Sequence, residues 1–340
     1  MEKIYLKSKI FLITTAVLMI ILFQAGIKGE EYEIKFATLA TEGSTWMNVM
    51  NELNDDIQKS TNGKLKFKIY SGGVFGDEKE VLGNMRFGQV HCAGFAGNGL
   101  GMILPEIRVL ELPYLYKNYN EIDYINERFY DRFSESFEKK GFVLLGWAEV
   151  GFVHIFTKTP VSNIEDIKNL KRLWAWEGDP LAEATFRAFG VSPIQLPLLD
   201  VSTSLQTGLI DVVYTSPLAA IALQWFTRVK YMISEPMVNA CGALLIDKKY
   251  FDRMPSDLQI TLKEKCRNYM RKLVILSRED NKKSIEVLKE NGIEVIKLGE
   301  ESEKEFEKIG VEVRNKLVGK LYSKEFLDEI LTALYEFREE

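Results

Sequence analysis

The segment from residue 61 to residue 95, TNGKLKFKIYSGGVFGDEKEVLGNMRFGQVHCAGF, decides the fold. Its Asn-Gly pair predicts a turn, and the alternation of apolar and polar residues at 65–69 predicts a strand. Asp77 is a predicted N-cap for a short helix, and GQVHCAGF then returns the chain to a strand. The segment therefore predicts strand, helix and strand in that order.

The residues before this segment extend the same pattern. YEIKFATL (32–39) alternates as a half-buried strand does, and STWMNVMNELNDDIQKS (44–60) places its apolar residues on one face of a helix. Together these stretches predict a βαβαβ unit, which implies a largely parallel sheet with helices on its faces. The predicted fold class is α/β.

The remaining sequence is long enough for a second α/β domain. Strands and helices alternate again from about residue 151 to residue 238. Apolar spacing predicts one long helix over 122–137, and the glycine-rich GNGLG at 97–101 predicts a flexible loop. Ser256 and Gln259 have the spacing of a capping box at the start of another long helix, and the charged C-terminal segment predicts packed terminal helices.

The N-terminus has the pattern of a secretory signal peptide. Lysines at 3, 7 and 9 precede an apolar run from Ile10 to Phe23, and small residues follow at Ala25 and Gly26. This predicts a signal peptide over 1–26 that is cleaved on export to the periplasm. Because the run is shorter than the roughly 20 residues that span a bilayer, a retained anchor is the alternative and not the first choice.

Composition excludes several classes of protein. A net charge of -5 offers no basic field for nucleic acid. The two histidines, His91 and His154, are far apart and no cysteine pair has metal-ligand spacing, so we expect neither metal nor cofactor. The three cysteines, Cys92, Cys241 and Cys266, are expected to be buried thiols.

Motifs for catalysis are not found in the sequence. No P-loop, dinucleotide-binding glycine pattern, nucleophile elbow or HExxH is present. The candidate acids and bases are Glu149, Glu177, Asp179 and His154, and Asp179 is more simply an N-cap with Pro180 at the first helical position. We therefore predict that the protein is not an enzyme.

The chain resembles a known family through a combination of motifs. These are the segment 60–95, then LPEIRVLELPYLY, NIEDIKNLKRLWAW and DVSTSLQTGLIDVVYTSP. Together they resemble the extracytoplasmic solute-binding proteins of TRAP transporters, the DctP family. The likeness covers nearly the whole chain after the predicted signal peptide.

The resemblance implies a fold and a mechanism. It implies two α/β lobes with a ligand cleft between them and long C-terminal helices: lobe 1 over 31–150 plus about 239–280, and lobe 2 over 151–238 plus about 281–340. It also implies ligand capture by hinge closure and delivery to a small DctQ-like and a large DctM-like membrane subunit, with an additional periplasmic partner protein left open.

Three departures from the family's pattern remove a charge or an amide. Members carry a carboxylate-clamping arginine where this chain has Leu173, and Arg172 lies one place earlier, which in a strand points it away from the cleft. By the same comparison Val153 replaces a second basic residue and Ser216 replaces an asparagine. The resemblance, corrected for these changes, implies a ligand that is hydrophobic or amphipathic.

The predicted pocket is apolar with a few polar anchors. Strand alternation sends Trp174 and Trp176 away from the cleft, although the end of the strand leaves Trp176 a candidate contact. The predicted ligand-binding residues are Phe95, Trp147, Glu149, Phe152, Val153, Leu173, Trp176, Tyr214, Thr215 and Ser216.

Three alternatives remain at the level of sequence. In the first, Arg172 reaches the cleft through a bulge and binds a C4-dicarboxylate or a sugar acid. In the second, the protein is a periplasmic interaction scaffold, and this alternative predicts no small-molecule cavity in the cleft. An exported hydrolase is the third, and it would depend on Glu149 or Ser216.

Overall fold

The computed structural model describes residues 30–339, so the predicted signal peptide at 1–26 lies outside the described residues. Its strands are β1 (Tyr32–Thr38), β2 (Leu65–Tyr70), β3 (Cys92–Ala96), β4 (Phe142–Thr157), β5 (Trp174–Trp176), β6 (Ile194–Leu196), β7 (Val212–Thr215), β8 (Tyr231–Ile233), β9 (Val238–Asp247) and β10 (Glu294–Ile296).

The α-helices are α1 (Thr45–Ser60), α2 (Glu78–Arg86), α3 (Gly97–Ile103), α4 (Tyr119–Arg128), α5 (Tyr130–Lys139), α6 (Ile164–Lys168), α7 (Pro180–Ala188), α8 (Val201–Thr207), α9 (Pro217–Ala222), α10 (Lys248–Phe251), α11 (Ser256–Glu290), α12 (Glu300–Leu317) and α13 (Lys324–Glu339). A 3-10 helix follows α3 at Pro105–Glu111.

The predicted βαβαβ unit is confirmed. β1 pairs in parallel with β2 on one side and with β3 on the other. Asp77 caps α2 as predicted, because its carboxylate accepts a hydrogen bond from the backbone N–H of Glu78 at 2.7 Å. β9 then adds to β3 in the antiparallel sense, which completes the sheet of the first lobe.

β4 joins this sheet to the strands of the second lobe. Its first part pairs with β9, and its last residues pair with β7 and β8, while β10 extends the same edge. The ladder between β4 and β9 shifts register between Leu144 and Gly146 and again between Glu149 and Gly151. Gly151 has a φ of 105°, so the strand changes direction where it passes from one lobe to the other.

The lobes share one apolar core in addition to their own. A continuous cluster of buried side chains contains Ala37 and Phe95 of the first lobe together with Phe186 and Val212 of the second. The chain passes between the lobes three times: within β4, between β8 and β9, and along α11, which packs against both α1 and α9. The two-lobed α/β fold is thus established, whereas the exact lobe limits at residues 150 and 238 stay predictions.

Three local predictions were wrong. The predicted long helix is two helices, α4 and α5, which meet at Phe129. The GNGLG stretch is not a loop but the start of α3. Ser256 does not cap α11; its N-cap is Pro255, and the Gln259 side chain instead donates to the carbonyls of Phe251 and Met254.

The terminal helices pack as predicted. α12 lies against α7 and buries Phe306 and Val313, and α13 lies against α4. The three cysteines are free and buried, as predicted, and burial raises their pKa values. Within residues 30–339, no helix combines the length and the apolar character required to cross a membrane.

Candidate functional site

The candidate site is a cleft cavity at the carboxyl ends of β1 and β3, closed from the other side by elements of the second lobe. This outer cavity has a volume of about 180 Å³. Its lining residues are Thr38, Leu39, Ala40, Thr41, Ser44, Thr45, Trp46, Glu78, Gly94, Phe95, Ala96, Val150, Trp176, Leu198, Thr215, Ser216, Leu218, Ala219, Ala222 and Leu223.

The walls of the outer cavity are apolar and uncharged apart from one carboxyl group. Trp46, Phe95 and Trp176 supply aromatic surface, and Leu198 and Leu223 supply aliphatic surface. The polar atoms come from threonine and serine hydroxyls. Among the lining residues of the described chain, none is a lysine, an arginine or a histidine, so a ligand anion would find no opposite charge there.

Glu78 is the ionisable group of the outer cavity. Its two carboxyl oxygens accept hydrogen bonds from the backbone N–H groups of Ala96 at 2.5 Å and Gly99 at 2.6 Å, at the start of α3. Burial raises the pKa of Glu78 to about 8, with a further contribution from the neighbouring Asp77, and outweighs these two donors. Near neutral pH the group is therefore largely protonated, and the cavity is largely free of charge.

Asp77 connects the two sides of the cleft. Besides capping α2, its carboxylate accepts hydrogen bonds from Trp176 Nε1 at 3.0 Å and from the backbone N–H of Leu198 at 2.7 Å. Burial raises the pKa of Asp77, against the effect of these donors. These two bonds join Asp77 on one side of the cleft to Trp176 and Leu198 on the other.

A second, smaller cavity lies behind the first. This inner cavity has a volume of about 90 Å³ and shares Ala96, Val150, Trp176, Leu198 and Thr215 with the outer one. Its other lining residues are Gly97, Asn98, Arg108, Glu111, Val153, Trp174, Asp179, Leu181, Ala182, Thr185, Tyr214, Trp225, Met237, Val238 and Ala240. The two cavities therefore adjoin and differ in polarity.

The polar wall of the inner cavity is a buried ion cluster. Arg108 Nη2 donates to both carboxylate oxygens of Asp179, at 3.0 and 2.9 Å, and Arg108 Nη1 lies 3.1 Å from Glu111 Oε2. Burial disfavours the charge on Arg108, but the carboxylates of Asp179 and Glu111 outweigh burial and raise its pKa. One cation thus faces two carboxylates.

Three glycines of GNGLG make room for these side chains. A Cβ atom at Gly97 would lie 1.9 Å from Glu111 Oε2, and one at Gly99 would lie 2.7 Å from Glu78 Oε2. At Gly101 it would lie 2.8 Å from Cδ of Arg108. The glycine-rich stretch therefore lets carboxylate and guanidinium side chains approach the backbone of α3 closely.

Six of the ten predicted site residues lie at these cavities. Phe95, Trp176, Thr215 and Ser216 line the outer cavity, while Val153 and Tyr214 line the inner one. Ser216 also caps α9 by accepting from the backbone N–H of Ala219 at 3.3 Å.

The other four predicted residues lie elsewhere. Glu149 pairs with Arg278, and Trp147 packs against Phe133 in a groove away from the cleft. β4 shifts register against β9 between Leu144 and Gly146 and again between Glu149 and Gly151, so a regular alternation of faces does not hold along this part of the strand. Phe152 packs against Tyr119, and Leu173 is fully buried in the shared core and lines neither cavity.

Arg172 points away from the cleft, but not for the reason that strand alternation gave. β5 begins only at Trp174, and Arg172 precedes it in a turn with a φ of 56°. Its side chain is 56% exposed and pairs with Asp211. Trp174 stacks on Tyr214 at 4.9 Å in the core of the second lobe and also lines the inner cavity, so the prediction that it points away from the cleft was wrong. Trp176, at the end of the strand, lines both cavities.

Sequence reasoning missed Arg108, Glu78 and Trp46. It assigned Asp77 only a capping role, and for Asp179 it preferred a capping role to that of an acid or base. A signal for Arg108 existed, since an arginine between Ile107 and Val109 in an apolar segment must find a partner if the segment is buried. Nothing in the sequence indicated that this partner would be Asp179, 71 residues away.

Comparison with known proteins identifies one family of bacterial solute-binding proteins. Residues 36–320 match the family model described as bacterial extracellular solute-binding protein, family 7 (DctP). The chain is 27% identical over 251 residues to the 2,3-diketo-L-gulonate-binding periplasmic protein YiaO of Escherichia coli K12, covering 72% of this chain and 75% of that protein. It is 23% identical over 238 residues to the C4-dicarboxylate-binding periplasmic protein DctP of Rhodobacter capsulatus, covering 69% and 71%.

Solved structures share the fold. The sugar acid binding protein DctPAm of Advenella mimigardefordensis, in complex with galactonate, superposes with a TM-score of 0.84 at 20% identity, over 90% of this chain and 99% of that one. A TRAP periplasmic solute binding protein of Haemophilus influenzae with bound L-gulonate gives 0.83 at 21% identity, over 89% and 99%. At such identities the similarity shows the architecture and leaves the ligand open.

Proposed function

Because this chain belongs to the DctP family, family 7 of the bacterial extracellular solute-binding proteins, we propose that it captures a small, uncharged and largely apolar molecule in the periplasm for a TRAP transporter. Proteins of this family are solute receptors and not enzymes. The molecule would be passed to a membrane permease composed of a small and a large subunit.

The observation that carries the choice of ligand is the charge of the cleft. The outer cavity has apolar walls and no cation among the described residues that line it. The arginine of the inner cavity is already paired with two carboxylates. Moving an unpaired anion from water into such a site costs several kcal/mol, because no opposite charge replaces its hydration.

The cavity volume indicates the size of the ligand. A closed apolar cavity of about 150 Å³ accommodates benzene, and the outer cavity, which is partly open to solvent, has about 180 Å³. A single-ring aromatic compound or a short aliphatic chain with one neutral polar group fits this volume. The hydroxyls of Thr38, Thr215 and Ser216 would hydrogen-bond the polar group.

The acids bound by relatives support a second candidate, a sugar acid or dicarboxylate. YiaO and the structures with gulonate and galactonate are named for such ligands. In this chain Arg172 is exposed and paired with Asp211, so it gives that candidate no clamp in the cleft. The scaffold alternative predicts a cleft without a cavity, contrary to what is found. The hydrolase alternative depends on Glu149, which is paired with Arg278, or on Ser216, which caps α9.

A matched pair of probes separates the two candidates. Benzyl alcohol and benzoate have the same ring and differ in charge. We expect millimolar benzyl alcohol to raise the melting temperature of the wild-type protein, and benzoate and D-galacturonate to have no effect. Stabilisation by either acid without stabilisation by the alcohol would refute the uncharged ligand.

Two variants test whether the stabilisation by benzyl alcohol arises in the outer cavity. Ala222→Phe adds a ring at the edge of the outer cavity on an exposed helix position and should abolish the response to benzyl alcohol. Gln206→Phe adds the same ring on the exposed surface of α8, away from both cavities, and should leave the response unchanged. Mass spectrometry of the protein purified from periplasm would then identify the natural ligand.

A further inference from the structure

We infer that Asp179 occupies the place of a ligand carboxylate on Arg108 and thereby makes the cleft reject small carboxylic acids. This inference deepens the proposed function and rests on it for the identity of the cleft. It assigns the choice between uncharged and acidic ligands to one residue of the second lobe.

The groups around Asp179 form a complete receptor for a carboxylate. Arg108 Nη2 donates to both of its oxygens, and the backbone N–H groups of Leu181 and Ala182 donate to Oδ1 at 2.9 and 3.1 Å. A guanidinium and the first N–H groups of a helix are the donors that carboxylates prefer. Here both are directed at a side chain of the protein itself.

Asp179 and Glu111 differ in how they reach Arg108. Glu111 lies three residues after Arg108 in the same 3-10 helix, and its other oxygen accepts from the backbone N–H of Cys241 at 2.7 Å. It is part of the local structure that holds the arginine. Asp179 comes from the opposite side of the cleft, at the N-terminus of α7, so its contact with Arg108 bridges the two sides.

The charges of the cluster explain the rejection of acids. Arg108 and Asp179 are each 5% exposed, and Glu111 is 4% exposed. An acid in the inner cavity would add a third carboxylate to one guanidinium, and like charges at this depth repel strongly. If Asp179 were absent, a ligand carboxylate in its place would restore the present arrangement of one cation and two anions.

Space for such an acid exists beside the cluster. The inner cavity of about 90 Å³ borders Asp179, and removal of the side chain would enlarge it. Since Ala96, Val150 and Trp176 line both cavities, the apolar part of an acid with a ring would extend into the outer one. Acetate and phenylacetate are suitable probes of this arrangement.

The test is the variant Asp179→Ser. Serine is a good N-cap, so the start of α7 keeps a hydrogen-bond acceptor while Arg108 loses a carboxylate. We expect acetate and phenylacetate to bind this variant saturably, at least tenfold more tightly than the wild type, as measured by thermal shift and calorimetry. Acetamide and phenylacetamide, which are neutral and of similar shape, should show no gain.

A matched control removes another capping aspartate. Asp247 caps α10 by accepting from the backbone N–H of Tyr250 at 2.8 Å, and it lies outside both cleft cavities. Asp247→Ser should gain no affinity for acetate. If Asp179→Ser is folded and binds both acids no better than the wild type and Asp247→Ser do, the inference is overturned.

Poor folding of Asp179→Ser would not prevent the test. The same comparison is then made on recovery of folded protein after dilution from urea, with acetate expected to increase the yield and acetamide not. An equal yield in both solutions would overturn the inference. Failure of the proposed function is recognised separately, because it would appear as acid binding, without benzyl alcohol binding, in the wild type.

Discussion

Asp77 and Trp176 lie on opposite sides of the cleft and are joined by a hydrogen bond of 3.0 Å from the indole Nε1 to Oδ2. The same oxygen accepts from the backbone N–H of Leu198 at 2.7 Å. Each such bond contributes on the order of 1 kcal/mol, so the pair contributes to keeping the lobes together.

Replacing Asp77 with serine should favour an open cleft. Serine retains a cap for α2 but is too short to reach Trp176 and Leu198, so we expect the equilibrium to shift toward opening by about 1 to 3 kcal/mol. Small-angle X-ray scattering of the ligand-free protein would show a larger radius of gyration. Trp176→Phe removes one of the two bonds and should give a smaller change; identical scattering from all three proteins would argue against this role.

Removal of the buried arginine should be strongly destabilising. Arg108→Leu leaves the carboxylates of Asp179 and Glu111 buried without a cation, which costs about 3 to 5 kcal/mol. Urea unfolding measures the loss. Arg187→Leu breaks an exposed pair with Glu183 and should cost less than about 1 kcal/mol. Similar losses in the two variants would contradict the importance of the buried cluster.

Two glycine-to-alanine changes should act in opposite directions. At Gly97 the added Cβ would overlap the Glu111 carboxylate, and displacing that side chain from Arg108 should cost about 1 to 3 kcal/mol. At Gly83, inside α2, the added Cβ meets no atom within 4 Å, and alanine should stabilise the helix by roughly 0.5 to 1 kcal/mol. Thermal unfolding of both variants checks the difference in sign.

Glu78 should make stability depend on pH. Its folded pKa of about 8 lies above its ordinary value of 4.5, so the folded state binds the proton more tightly than the unfolded state does. Its contribution is therefore most favourable below pH 4.5 and is lost as pH rises through about 8. Burial also raises the pKa of Asp77, so Asp77 adds a loss of stability with rising pH as well.

Urea midpoints at a series of pH values measure this loss. Glu78→Gln cannot titrate at this position and should show a weaker decrease between pH 5 and pH 9, approximate limits that bracket the titration. Glu80→Gln changes an exposed glutamate of the same helix and should retain the wild-type decrease. A steeper decrease in Glu78→Gln than in the wild type would contradict the assignment.

The sequence predicted the elements well because their apolar periodicity is local. β1, α1, β2, α2 and β3 are found where the alternation and the capping residues placed them. The position of Phe95 and Thr215 at the outer cavity was also predictable, since the ends of β3 and β7 face the cleft; their role in binding stays a prediction.

The errors have physical causes that a single sequence does not reveal. Trp147 and Glu149 line a groove outside the cleft, and Leu173 lies before the start of β5 and is buried in the core. The pairing of Arg108 with Asp179 depends on how two distant segments pack. That pairing in turn determines the charge of the inner cavity, which periodicity does not predict.

The three passages of the chain between the lobes have a consequence for a nicked protein. Cutting the backbone once, beside β4, between β8 and β9, or near α11, leaves two covalent connections intact. The shared core that includes Phe95 and Phe186 would still hold the pieces together. A molecule cut once by a protease would thus migrate as one particle on a native gel, and its fragments would separate only in denaturant.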